Sequence, residues 1–248
     1  MESLIWFAVM PFSDVIHLQQ PQRPWAELQA CSNFTFLTGG SHPEEYMDRA
    51  ALLGLSGVAI ADVNSVAGIV RAHTRSREIA RLVAERQTFD RDVGLIGPSA
   101  PLECKPSPSA QIYNMPSLLP AAKIVLRDGF VATLLPVNRS GWGRLCRLIS
   151  RGRLRAKKGA CDIGLEDLLE FGDDQLMVLH APPTEQVQVD ATSWLSQARS
   201  LTRRFPQDVM LLLAPAYDGQ DARRFEDIAA LGNALSVPLV ASAAPVMH

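Results

Sequence analysis

Ser56-Gly57-Val58-Ala59-Ile60-Ala61-Asp62 is the stretch from which the fold is read. Four apolar residues stand between a Ser-Gly pair and an acid. A short, nearly continuous apolar run of this kind has the form of a buried strand that delivers a polar side chain at its C-terminal end. The residues after it change period. Val66, Ile69, Val70, Ile79, Leu82 and Val83 fall at helical spacing from about Ser65 to Gln87, with Arg71, Arg75, Arg77 and Arg81 between them. Before it, Trp25 to Cys31 reads as another short strand and Thr38 to Ser41 as a loop. Ser41 is expected to cap the next helix, with Glu44 completing a capping box. Tyr46, Met47, Ala50, Ala51 and Leu53 supply the apolar face, and Gly54 is the expected stop.

The same alternation continues downstream. Ala122 to Leu126 and Phe130 to Leu135 are strand-like runs around the turn Arg127-Asp128-Gly129. Helical spacing follows from Ser140 to about Leu154, and a short helix from Leu165 to Glu170. Gln175 to His180 reads as a strand, Ser193 to Arg204 as a helix and Val209 to Ala214 as a strand. Asp221 to Leu235 reads as a helix and Val237 to Ala241 as a last strand. Strand and helix in turn predict an α/β protein whose parallel sheet is covered on both faces. An incomplete or distorted βα barrel fits, with an open doubly wound sheet as the alternative. In either, chemistry belongs to the residues after strand C-termini.

Composition narrows the classes. The chain has 248 residues, 47% of them hydrophobic and 20% charged, which disfavours disorder, collagen and coiled coil. Lys and Arg number 24 against 26 Asp and Glu, so a nucleic-acid role needs a local patch. Cys31, Cys104, Cys146 and Cys161 are scattered without a CxxC pair and read as reduced thiols of a cytoplasmic protein. No apolar run approaches the roughly 20 residues that span a bilayer. Residues 1–23 read as an extension outside the fold, and residues 24–248 as one domain. Pro98, Pro101, Pro106, Pro108, Pro116 and Pro120, with serines between them, mark residues 94–120 as an irregular insertion.

At the strand ends only Asp62, His180 and Cys31 have metal-binding chemistry. Asp62 reads first as a cap for the helix near Ser65, Cys31 as a small buried hydrophobe and His180 as a hydrogen-bonded strand-end histidine. GxSxG, P-loop, HExxH and GxGxxG motifs are absent. One charge feature stands out. Arg139, Arg144, Arg147, Arg151, Arg153, Arg155, Lys157 and Lys158 lie in one stretch without an acid, and Arg144, Arg147 and Arg151 share a helix face. Such a stripe suits a polyanion or an acidic protein surface.

Several strings resemble a known family. Glu27-Leu28-Gln29-Ala30-Cys31-Ser32-Asn33-Phe34 with Gly40-Ser41-His42-Pro43-Glu44-Glu45, Ile60 through His73, Gly141 through Gly152 with Lys157-Lys158-Gly159, and Val237 through Ala241 are similar to the opening of bacterial error-prone DNA polymerases, relatives of the replicative polymerase III alpha subunit. The resemblance covers about residues 25–248. It implies a polymerase-and-histidinol-phosphatase (PHP) domain, a distorted seven-stranded βα barrel. In active members of that fold, histidines and acids at the strand ends bind metals. Here those positions fall on Gln29 and Cys31, on Asp62 and Val63, near Lys123 and Val131, and on Ala243, Ala244 and Val246. The expectation is therefore no metal and no phosphoesterase activity. The family's catalytic aspartates, and the magnesium they bind, belong to a palm domain absent from this chain, which reads as a fragment or a split gene product. The parent is expected to copy DNA across lesions. Its expected partners are the remaining polymerase domains, DNA through residues 139–158, the sliding clamp and the accessory proteins of a mutagenesis cassette. The alternatives are a stand-alone phosphoesterase using Cys31, Asp62 and His180, and a solitary nucleic-acid-binding module.

Overall fold

The structure is a computed structural model and describes residues 25–92, 115–182 and 187–248. The expected extension, most of the expected insertion and Cys104 lie outside the described residues.

The elements in order are β1 (Ala26–Ala30), α1 (Pro43–Leu52), β2 (Gly57–Val63), α2 (Ala67–Asp92), β3 (Ser117–Val125), β4 (Val131–Pro136), α3 (Arg139–Arg155), α4 (Leu165–Phe171), β5 (Gln175–Leu179), α5 (Val187–Arg204), β6 (Val209–Leu213), α6 (Asp221–Leu235) and β7 (Leu239–Ala241). The strands form one seven-stranded sheet in sequence order. This is the distorted barrel, and the open doubly wound alternative is set aside. The sheet is not wholly parallel, however. β4 runs antiparallel to both β3 and β5. The turn 127–129 is too short for a crossover, which takes a dozen or more residues, so β3 and β4 can only form a hairpin. Gly129 takes the left-handed conformation at its end, φ +88°. β3 also begins at Ser117, so Ser117–Pro120 belong to a strand and not to the irregular insertion.

Alternation along the strands sorts side chains between two faces. Outward residues such as Ala122, Ile124, Leu134, Met177, Leu179 and Leu211 pack under α3, α4, α5 and α6. Ala30, Val58 and Ile60 pack under α1 and α2. The inward cluster is small: Ala59, Ala61, Ala121, Leu135, Val178 and Leu212. Each buried leucine-sized side chain contributes about 1.5–3 kcal/mol.

Local chemistry sets the helix starts. Asn138 caps α3, its side chain accepting from Gly141 N–H at 2.9 Å. Gly141 itself lets α3 approach the turn before β5, since a Cβ there would lie 2.2 Å from the Asp174 carbonyl oxygen. The expected cap of α1 is displaced by one residue. His42 is the N-cap and its N–H donates to Glu45 at 2.6 Å. Ser41 cannot serve, because its hydroxyl accepts from His248 N–H at 2.9 Å.

β1 and β7 are the two ends of the sheet, and other bonds join them. Cys31 N–H donates to the Pro245 carbonyl at 2.9 Å, and Gly40 N–H to the Val246 carbonyl at 2.8 Å. The Tyr46 hydroxyl lies 2.9 Å from the Cys31 carbonyl and 3.3 Å from that of Pro245. The Glu27 carboxylate accepts from the Ser242 hydroxyl and from Ala243 N–H, the latter at 2.9 Å.

Candidate functional site: the C-terminal mouth of the barrel

The inward face carries Ala61 then Val63 on β2, Ala121 then Lys123 on β3, and Val178 on β5 followed by His180 just past its end. Val63 pairs with Lys123, Lys123 with Thr133 and Thr133 with Val178. His180 N–H donates to the Val131 carbonyl at 3.0 Å. The expected metal positions Val63, Lys123 and Val131 are thus brought to one end of the barrel, with His180 beside them. Gln29 reaches the same place, its carbonyl oxygen accepting the Thr133 hydroxyl proton at 2.8 Å. Thr133 Oγ1 lies 3.0 Å from His180 Nε2. Since the Thr133 proton goes to Gln29, the imidazole donates from Nε2.

The charges there are those of a base held neutral beside a cation. Burial, reinforced by the Lys123 ammonium, pulls the His180 imidazole down from its ordinary 6.5 to about 3. Burial also pushes the Cys31 thiol up, as does the charge of Asp62, while Thr35 and Lys123 oppose it. Cys31 is a buried thiol on the seam, as a small core residue would be.

Asp62 does not cap α2, which begins at Ala67. It pairs with Ala122, on the outward register, and its carboxylate is taken by three donors. Oδ1 accepts from Ser32 N–H at 2.8 Å and from the Thr35 hydroxyl at 2.9 Å, and Oδ2 from the Ser32 hydroxyl at 2.8 Å. Asp62 therefore ties the loop after β1 to β2. Gly68 makes room for it, since a Cβ at that position would sit 2.8 Å from Oδ2. Cys31, Asp62 and His180 do not assemble into a ligand set. Among the described residues no group of three or more His, Cys, Asp or Glu side chains is placed to hold a metal ion. The fold family implies a metal at this mouth, but an amide, a thiol, an ammonium, two valines and a single neutral imidazole do not fit one. Ala243 and Ala244 follow β7 with methyl side chains, and Val246 is 46% exposed.

The basic stretch forms α3 and its C-terminal turn. Trp142, Leu145, Leu148 and Ile149 face the core. Arg144 lies 3.5 Å from Asp173 and 3.6 Å from Asp174. Arg151 forks onto Glu170 and stacks 4.3 Å from the Phe171 ring centroid. Arg155 donates to Asp167 at 2.7 Å and Arg153 to the Asn64 carbonyl at 2.9 Å. Burial alone would raise the Asp167 carboxyl, but Gly164 N–H and Arg155 outweigh it and hold it below the ordinary carboxylate range. Among the described residues Arg147 reaches only its own helix, at the Gly143 carbonyl. Arg139, Lys157 and Lys158 are exposed and make no ion pair among the described residues.

Three functional-looking residues escaped the sequence reading: Glu27, Thr133 and Ser242, all buried. Each is a polar residue in or beside an apolar strand, which is the one signal that marks them.

No family model matches the chain. It is 39% identical over 227 residues to an error-prone DNA polymerase of Ruegeria pomeroyi, covering 90% of this chain and 20% of that protein. It is 34% identical over 224 residues to one of Aromatoleum aromaticum, covering 90% and 18%. Among solved structures, a protein of Bifidobacterium adolescentis described as a metal-dependent phosphoesterase superposes with a TM-score of 0.51 at 13% identity, covering 92% of this chain and 89% of that one. That likeness supports the fold alone. The chain spans about a fifth of the length of the polymerases it matches. It is therefore a homologue of one segment of bacterial error-prone DNA polymerases, folded as the seven-stranded α/β barrel that the resemblance to their PHP domain implies.

Proposed function

We propose that this chain is a metal-free, non-catalytic PHP domain that serves an error-prone DNA polymerase as a scaffold. The observation that carries this reading is the donor set at the barrel mouth. Where a metal centre needs several lone-pair donors, Gln29, Cys31, Val63, Lys123 and Val131 offer an amide, a buried thiol, an ammonium and two hydrocarbon side chains. Lys123 would repel a divalent cation. The parent would synthesise DNA on damaged templates with magnesium held in another domain. The remaining polymerase domains, the sliding clamp and mutagenesis-cassette proteins would be its partners, in the cytoplasm. Among the described residues no helix is long and apolar enough to cross a membrane.

A chimera tests the scaffold role. This chain replaces the matching segment of the Ruegeria pomeroyi polymerase, and primer extension is compared with that of the same protein lacking the segment. Extension by the chimera and loss of extension without the segment are expected. Full extension by the deleted form would end the scaffold reading.

The cations of α3 and of the turn after it that make no ion pair among the described residues favour one addition to this reading. Arg139, Arg147, Lys157 and Lys158 would approach a DNA backbone or an acidic domain surface, while Arg144, Arg151 and Arg155 are engaged within the domain.

A further inference from the structure

Thr133 is the hub of an arrangement that the scaffold reading leaves unused. Its hydroxyl bonds Gln29 and His180, and Lys123 stands directly across from it in the β3–β4 pair. Side chains directly opposite in an antiparallel pair have Cβ atoms about 5 Å apart on one face. Lys123, Gln29 and His180 therefore surround one point at the barrel mouth. Two of the three are incomplete. Gln29 is 1% exposed, and its amide nitrogen has no hydrogen-bond partner. No hydrogen bond or ion pair engages the Lys123 ammonium among the described residues. The nearby Glu27 carboxylate does not serve it, being occupied by Gln29 N–H at 2.7 Å, Ser242 and Ala243.

A buried amide left unsatisfied is costly, and the half-buried Lys123 beside it has no counter-charge among the described residues. A water molecule would satisfy the amide and leave the charge. One ligand with several acceptor oxygens and a negative charge satisfies both. We propose that this mouth binds a small oxyanion of the phosphate type between the Lys123 ammonium and the Gln29 amide, without any metal. The polarity of the site is then the reverse of a metal centre: donors of the protein surround an anion. The neutral state of His180 agrees with this, because the cation it feels is Lys123. The same chemistry is offered by free inorganic phosphate and by the terminal phosphate of a nucleic-acid strand.

The test uses the full chain, stripped with EDTA, and follows the His180 imidazole resonances by NMR. Sodium phosphate is titrated at constant ionic strength against sodium chloride, and a 5′-phosphorylated oligonucleotide against its unphosphorylated form. A saturable shift with phosphate and not with chloride is expected, weakened at least tenfold in Lys123→Met. Gln29→Glu is expected to abolish it, since a built-in carboxylate takes the place of the ligand while the fold, read by circular dichroism, persists. A response to the phosphorylated strand alone, or to free phosphate alone, identifies the source and supports the site. No saturable shift, or an equal shift in Lys123→Met, overturns the oxyanion site and leaves the metal-free reading standing. Phosphate binding that requires added manganese overturns both.

Discussion

The Glu27 carboxylate accepts the Ser242 hydroxyl across the seam between the first and last strands. With Ala243 N–H on the second oxygen and Gln29 N–H on the first, one buried side chain does what a ladder of backbone bonds does between the other strands. Between β1 and the residues after β7, the seam is thus joined by this carboxylate together with the backbone bonds of Cys31 and Gly40. The residues that follow β7 are held to the loop after β1 by the same seam, through Cys31, Gly40, Ser41 and Tyr46.

Glu27→Ala is expected to lower stability by about 2–4 kcal/mol, because hydrogen bonds to a charged group contribute more than neutral ones and three donors lose their acceptor together. Ser242→Ala removes one of them and is expected to cost about 1–2 kcal/mol. Urea unfolding of the two variants measures both, and equal stability of Glu27→Ala and the parent would refute the role of the seam.

Asp62→Asn exchanges one accepting oxygen for a donor that faces Ser32 or Thr35. The expected loss is about 1–3 kcal/mol, with faster proteolysis in the loop after β1. Urea unfolding and limited digestion read it.

His180 gives a pH dependence whose sign follows from its environment. The folded protein holds the neutral imidazole down to about 3, whereas the unfolded chain takes up the proton near 6.5. Its contribution is therefore complete above 6.5 and is lost as pH falls from there toward 3. The steepest slope is about 1.4 kcal/mol per pH unit. In His180→Gln, which keeps a donor for Thr133, the acid limb of the stability profile should be shallower by one proton. In Lys123→Met the imidazole should titrate higher, which an NMR titration reads directly.

The cations of α3 and of the turn after it separate by function. Arg155→Ala leaves the buried Asp167 short of a partner and is expected to cost about 1–3 kcal/mol in urea unfolding. Replacing exposed Arg147, Lys157 and Lys158 by alanine should move stability by less than about 0.5 kcal/mol each. If the chain meets DNA here, those three replacements reduce the salt dependence of binding by about one unit of slope per lost phosphate contact. Unchanged binding would direct the stretch to a protein surface instead.

Much of the fold was legible because it rests on local pattern. The run from Ser56 to Asp62 becomes β2, Gly57–Val63, and Asp221 to Leu235 becomes α6 with the same ends. The antiparallel placement of β4 was written in the three-residue turn 127–129, yet the βα alternation around it suggested a parallel sheet. The role of Asp62 was not legible. Its partners Ser32 and Thr35 lie 30 and 27 positions upstream, and a nearer helix start offered the simpler explanation. Thr133 and Glu27 stayed hidden for a related reason: their meaning comes from Gln29, His180 and Ser242, which only the closed barrel brings near. The basic stretch was plain in the sequence, but its division into engaged and free cations depends on acids of α4 and of the turn after it.

Metal analysis of the purified full chain tests the central claim most directly. The chain is incubated with manganese and zinc, passed through a desalting column and measured by mass spectrometry alongside Lys123→Glu, which restores an acid to the mouth. The account predicts no stoichiometric metal in the parent chain. One or more equivalents of either ion in the parent, lost on replacing Cys31, Asp62 or His180, would contradict it.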